Sequence, residues 1–427
     1  MPKFISIATR SIVRAAIAGT LLVPASSAQS VCDNGIQDSG SKYRICMPPA
    51  GNYNGNLIIF AHGYQDAGTP VEIPEDQLCF SGLCLPDLVN NLGFAFATNS
   101  YSKTGLAVRQ GMDDILDLVG IFTEKQGAPN RIYQTGASEG GLISTLLVEQ
   151  HPEIFSAGLA ACGPVGDFPF QINYMGDARA TFQYFFPGLI PGDPFHPDQS
   201  LVDNWSSYYD TVVKPTILHA TRRSRLDQWV AVARLPYDSA NYLATVELSA
   251  RDVLRYSVVN INDAAATLGG FPYDNRKRLY FGSKNDLLLN LGVPRVSADA
   301  AAIAEMKSFY NTRGVLQRPV ISTHTLRDQQ VPYAHEVLYN LKTLVSGAFP
   351  SRHVNVPVDR YGHCNFTPGE VLFSLALMLA YDANLNQLSG VSTLLKGDDL
   401  ARFEQRAREA KVPYRLDGFS LSAELNK

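Results

Sequence analysis

Apolar residues run unbroken along LIIFA, residues 57–61, and along LGFAFAT, residues 92–98. Neither run alternates with polar positions, so each suits a short strand covered on both faces, as in a parallel sheet. Between 108 and 124 the period changes: Met112, Ile115, Leu116, Val119 and Phe122 recur at helical spacing. Ala128-Pro129-Asn130 ends that helix, and Arg131 to Thr135 reads as the next strand. Leu142, Thr145, Leu146 and Glu149 place a helix over 141–150, and FSAGLAACGP (155–164) is strand-like again. This alternation predicts an α/β fold with a mostly parallel central sheet flanked by helices.

The rhythm breaks from 165 to 315. That stretch is rich in aromatics, Gly and Pro, and then reads as consecutive helices over 221–268, a short strand at Arg278 to Phe281 and a helix at Ala300 to Tyr310. It is expected to be a largely helical insertion. Alternation resumes with a strand inside 318–332, a helix over 333–346, a strand near 352–358 and a helix over 369–381. Upstream, residues 31–56 look turn-rich, with Gly40, Pro48, Pro49, Gly51 and Gly55. The expected organisation is a signal peptide (1–28), a first core part (29–164), the insertion (165–315), a second core part (316–395) and a C-terminal charged helix and tail (396–427).

Composition narrows the setting. Hydrophobic content of 45% and charged content of 18% over 427 residues are those of a globular protein. Lys3, Arg10 and Arg14 precede a short apolar run, Ala15 to Val23, and small residues up to Ala28. This is the pattern of a cleaved signal peptide, so the protein is expected to be secreted, extracellular or periplasmic, without a stable membrane anchor. The run is too short to span a bilayer, and Val371 to Tyr381 has the length of a core helix. The formal net charge is −4, and cleavage would make it three units more negative. Without a basic tract, a nucleic acid partner is not expected. Six cysteines in an exported chain suggest disulfides. Cys32 with Cys46, Cys79 with Cys84 and Cys162 with Cys364 are the pairs by neighbourhood, among many possible connectivities. Their spacing does not resemble a zinc site.

Four short segments carry candidate chemistry. HGYQD (62–66) follows the strand at 57–61, GASEGG (136–141) sits between a strand and a helix, HTLRDQQVP (324–332) follows a later strand, and YGHCNF (361–366) follows the last one. In this order they resemble the α/β-hydrolase superfamily, over roughly 55–165 and 316–382. The resemblance implies Ser138 as nucleophile, Asp328 as acid and His363 as general base, with the backbone N–H groups of Tyr64 and Glu139 as oxyanion hole. Asp286 and Asp359 compete for the acid's place. His62 is read as holding the oxyanion loop, and His324 as structural. The insertion falls where this superfamily carries a lid, and Phe182, Tyr184, Phe185, Phe186, Trp205, Tyr208 and Tyr209 are candidates for an apolar wall over the serine. Arg222, Arg223 and Arg225 read as a solvated helix face rather than a carboxylate-binding cluster. Tannases and fungal feruloyl esterases join the residues beside their catalytic serine and histidine by a disulfide. Here Cys364 follows His363 but Ala137 precedes Ser138, and Cys162 is the substitute partner.

These features imply a secreted serine hydrolase cleaving small-molecule or polymeric carboxylic esters, with no metal and no organic cofactor. A serine peptidase of the prolyl-oligopeptidase or tripeptidyl-aminopeptidase-like type is the enzyme alternative. A non-catalytic binding protein on a hydrolase scaffold is the alternative outside enzymology.

Overall fold

The computed structural model describes residues 31–80, 82–382, 397–409, 415–416 and 419–420. The expected signal peptide and most of the tail after Glu409 lie outside these residues.

Eight strands form one sheet: β1 (Val31–Ile36), β2 (Lys42–Met47), β3 (Asn56–Ala61), β4 (Ala95–Asn99), β5 (Arg131–Ala137), β6 (Ala157–Ala161), β7 (Val320–Arg327) and β8 (His353–Tyr361). Their spatial order is β1-β2-β4-β3-β5-β6-β7-β8. β1 and β2 pair antiparallel, as do β2 and β4, and every pairing from β4 onward is parallel. The continuous apolar runs follow from this architecture. Along β3, Leu57, Ile59 and Ala61 face one cluster and Ile58 and Phe60 face another. The first cluster is closed by α1 (Val108–Gln126) and α2 (Glu139–Gln150), the second by the C-terminal helix of the core, Pro368–Tyr381. Burying each Leu or Ile of this kind stabilises the fold by about 1.5–3 kcal/mol.

Between β6 and β7 the chain is largely helical, beginning with α3 (Phe168–Phe185) and including Arg223–Ala233 and Tyr242–Arg255. This block has an apolar cluster of its own around Trp229, Phe182 and Val253. After β7 come α4 (Ala334–Val345), β8 and α5, the Pro368–Tyr381 helix. No described helix is long and apolar enough to cross a membrane.

Two local expectations differ from the structure. Residues 31–47 form the β1/β2 hairpin rather than turns, because the Gly and Pro residues counted there fall at its bend and beyond it. Arg278 to Phe281 is not a strand. Asn290 occupies the backbone of Tyr280 on both sides, its Oδ1 accepting from the Tyr280 N–H and its Nδ2 donating to the Tyr280 carbonyl. That leaves Leu279 and Phe281 exposed.

Candidate active site

The segment RIYQTGASEGG folds as β5, a one-residue turn and α2. The turn is Ser138, at φ 57° and ψ −122°, a region an L-residue occupies at a cost of about 1–3 kcal/mol. The neighbouring glycines make the crowding possible. A Cβ on Gly136 would collide with the Gly140 carbonyl, and one on Gly140 with the Ala61 carbonyl. The Ser138 N–H is held by the Ala161 carbonyl at the end of β6, at 2.8 Å.

His363 and Asp328 meet this serine from the ends of β8 and β7. His363 Nε2 lies 2.8 Å from Ser138 Oγ, and His363 Nδ1 lies 2.7 Å from Asp328 Oδ2. The other carboxylate oxygen, Oδ1, accepts the backbone N–H groups of Gln330 and Val331 at 2.8 and 2.9 Å. Asp328 is buried, and burial alone would raise its pKa. The charge and hydrogen bonds of His363 and His324 outweigh that and hold the carboxyl below the ordinary aspartate value. The competing acids are elsewhere: Asp286 accepts from Ser283 N and Oγ, and Asp359 pairs with Arg327.

Behind Asp328 stands a second buried pair that the sequence did not single out. His324 Nε2 donates to the Val331 carbonyl at 2.9 Å and lies 3.3 Å from Asp328 Oδ2. Its Nδ1 faces Glu336 at 3.0 Å, and Ser322 and Asn355 donate to the same carboxylate. Burial lowers the His324 pKa, but bonds to Asp328 and Glu336 more than reverse this and push it up to about 10. His324 is therefore an imidazolium set between two carboxylates. Glu336 lies in α4, and no short motif joins it to the acid.

The six cysteines pair as Cys32–Cys46, Cys79–Cys84 and Cys162–Cys364. The first bond links residues directly opposite in β1 and β2. The third ties the end of β6 to the residue after His363, and Cys364 Sγ lies 3.4 Å from His363 Nε2. Cys162 and Cys364 both have φ 48°, so Ser138 and both ends of this bond share the left-handed half of backbone space.

Among known proteins, the prolyl oligopeptidase family matches over residues 90–176. That span holds β4, α1, β5, Ser138, α2 and β6, the segment that builds the turn at Ser138. Together with the strand order and with Ser138, Asp328 and His363 at the ends of β5, β7 and β8, it fits one fold. The protein has the α/β-hydrolase fold. No curated protein matches this chain significantly. Similar solved structures include an acylaminoacyl peptidase from Pyrococcus horikoshii (11% identity, 88% of this chain and 44% of that one, TM-score 0.40). Others are a proline iminopeptidase from Mycobacterium smegmatis (11%, 83% and 98%, 0.41) and an esterase from Aspergillus oryzae (13%, 78% and 72%, 0.41). The chain thus spans less than half the length of the acylaminoacyl peptidase.

Gly63 passes over the serine: a Cβ there would lie 3.1 Å from Ser138 Cβ. The loop is fixed from both sides. Gln77 Oε1 accepts the Gly63 N–H at 2.6 Å, and Tyr101 donates to the His62 carbonyl at 2.8 Å while stacking on the His62 ring. His62 is buried, its Nδ1 2.7 Å from the Gly63 carbonyl, and burial lowers its pKa to about 4, so the ring is neutral. Glu139 opens α2, where first-turn N–H groups lack intrahelical acceptors. Its side chain is buried, accepts the Ala107 N–H at 2.9 Å, and has its pKa raised by burial to about 8.

Two clefts meet at Ser138. The smaller is lined by Tyr64, Ser138, Glu139, Tyr256 and one face of α3. The larger is lined by Gly63, Tyr64, Ser138, His363 and Asn365. The expected aromatic wall is different. Phe182, Phe185, Phe186, Trp205 and Tyr209 are buried in the helical block's own cluster, with Tyr184 and Tyr208 packed against it. None of these lines either cleft at Ser138. The aromatics that line the smaller cleft are Tyr64, Phe168, Phe195, Tyr256, Phe271 and Tyr273. Residues on opposite faces of α3 look alike in the sequence, and only the fold separates the cleft face from the core face.

Proposed function

We propose that this hydrolase is a secreted serine esterase in which Ser138 is the nucleophile, His363 the general base and acid, and Asp328 the residue that orients His363. The reading is carried by one observation: the two short contacts that join Ser138 Oγ, the His363 ring and the buried Asp328 carboxylate in a line. Ser138 Oγ attacks the ester carbonyl carbon as its proton passes to His363 Nε2. The oxyanion is held by the N–H groups of Tyr64 and Glu139. As the tetrahedral adduct collapses, the ester C–O bond breaks and His363 returns the proton to the leaving oxygen. Water then repeats the sequence on the acyl-enzyme and frees the acid. Secretion is supported by the three disulfides. The helices between β6 and β7 are proposed to act as a lid, since residues of α3 and of Tyr256–Asn260 line the smaller cleft.

The match to the prolyl oligopeptidase family favours a second reading, a serine peptidase. Hydrolysis of short nitrophenyl esters against that of peptide anilides separates the two. Ester turnover with negligible anilide cleavage supports the esterase, and the reverse supports the peptidase. Turnover of neither would favour a non-catalytic scaffold.

A further inference from the structure

The smaller cleft is longer than the serine's own chemistry requires. Phe168, Gln171, Ile172, Met175, Gly176 and Arg179 line it at helical spacing along one face of α3. At 1.5 Å per residue that stripe covers roughly 16 Å. α3 starts a few residues after Ala161, which holds the Ser138 amide, so Arg179 stands toward the distal end.

Arg179 is only 2% exposed, yet among the described residues no carboxylate lies within ion-pairing distance of it. One terminal nitrogen donates to Gln183 at 3.1 Å, and Nε has no acceptor. The one carboxylate whose field reaches it is Asp193. Asp193 is more than half exposed and is engaged with the Phe195 N–H and with His196. Asn260, 5% exposed, lines the same cleft, and neither its side-chain oxygen nor its nitrogen has a partner. A buried guanidinium and a buried amide are costly to leave unpaired. Pro194, Phe195 and Phe271 add apolar lining to the same cleft.

We propose that Arg179 and Asn260 form a carboxylate-binding site at the end of this cleft, so that the preferred substrates are esters whose acyl part carries a distal carboxylate. This rests on the reading of Ser138 and His363 above. The acyl side is assigned by proton transfer. His363 gives its proton to the leaving oxygen, and His363 lines the larger cleft and not the smaller one. The leaving group therefore lies in the larger cleft, and the acyl chain in the one that ends at Arg179. Glu139 also lines the acyl cleft, but with a pKa near 8 it is mostly neutral at pH 7 and does not repel an anionic chain.

The test compares 4-nitrophenyl hemiesters of adipate and suberate with the neutral hexanoate and octanoate esters, using the intact protein. The wild type is expected to favour the charged esters in kcat/KM by about tenfold or more. Arg179→Met should abolish that preference mainly through the KM of the charged esters, and Arg179→Lys should keep part of it. Should Arg179→Met fail to fold, free suberate should inhibit neutral-ester hydrolysis by the wild type competitively, and 1,8-octanediol should not. Equal turnover of charged and neutral esters, or absence of suberate inhibition, overturns the carboxylate site while leaving the esterase reading intact. A wild type that cleaves no ester and is not labelled by a fluorophosphonate overturns both.

Discussion

Glu139 follows Ser138 and has two separate roles in the account. Its amide belongs to the proposed oxyanion hole, and its buried carboxyl holds the loop at Ala107. Burial raises that carboxyl from 4.5 to about 8. The folded state therefore keeps a proton that the unfolded chain has lost between these values. This contribution is fully present below about pH 4.5 and declines as pH rises through 8, by at most roughly 1.4 kcal/mol per pH unit. Glu139→Gln should flatten the fall in melting temperature between pH 5 and 8. A variant whose melting temperature falls as steeply as the wild type's would contradict the assignment. His324 has the same sign of pH dependence, over a higher range. Its pKa is raised to about 10, so its contribution is complete below about pH 6.5 and is lost as pH rises through 10. His324→Asn leaves Asp328 and Glu336 buried without their cation and should destabilise by about 3–5 kcal/mol in urea unfolding. A loss under about 1 kcal/mol would mean the pair is not ionic. At this scale the short motifs were legible: Ser138 between its glycines, and His363 after the last strand. Arg179, Asn260 and the His324–Glu336 pair were not, because their surroundings are assembled from residues far apart in the chain.

Among the elements, β3 and β4 were readable because a strand buried on both faces leaves an unbroken apolar run, and α1 because one face only is apolar. The β1/β2 hairpin was hidden by the glycines and prolines around it. The short extended run at Tyr280 misled because an asparagine side chain, not a neighbouring strand, satisfies its backbone. The Cys162–Cys364 bond joins two strand ends and closes a loop with a sequence separation of 202. Replacing both cysteines by alanine should lower stability by about 2–4 kcal/mol. Because Cys364 adjoins His363, it should also reduce kcat more than it raises KM, as steady-state kinetics on a neutral ester would reveal. An unchanged kcat would mean the loop is held without the bond.

Over the whole molecule, the sheet ends carry Ser138, Asp328 and His363, and the helices between β6 and β7 line the smaller cleft. The strand–helix order of the core was legible from periodicity. The inner faces of the helical block were not, because its aromatics serve both its own core and the cleft. The central claim is that Ser138 forms an acyl-enzyme. Intact-protein mass spectrometry after treatment with a fluorophosphonate tests it most directly. The wild type should gain one adduct, mapped to Ser138, and Ser138→Ala, folded by circular dichroism, should gain none. Labelling that persists in Ser138→Ala, or a wild type that never labels, would contradict the account.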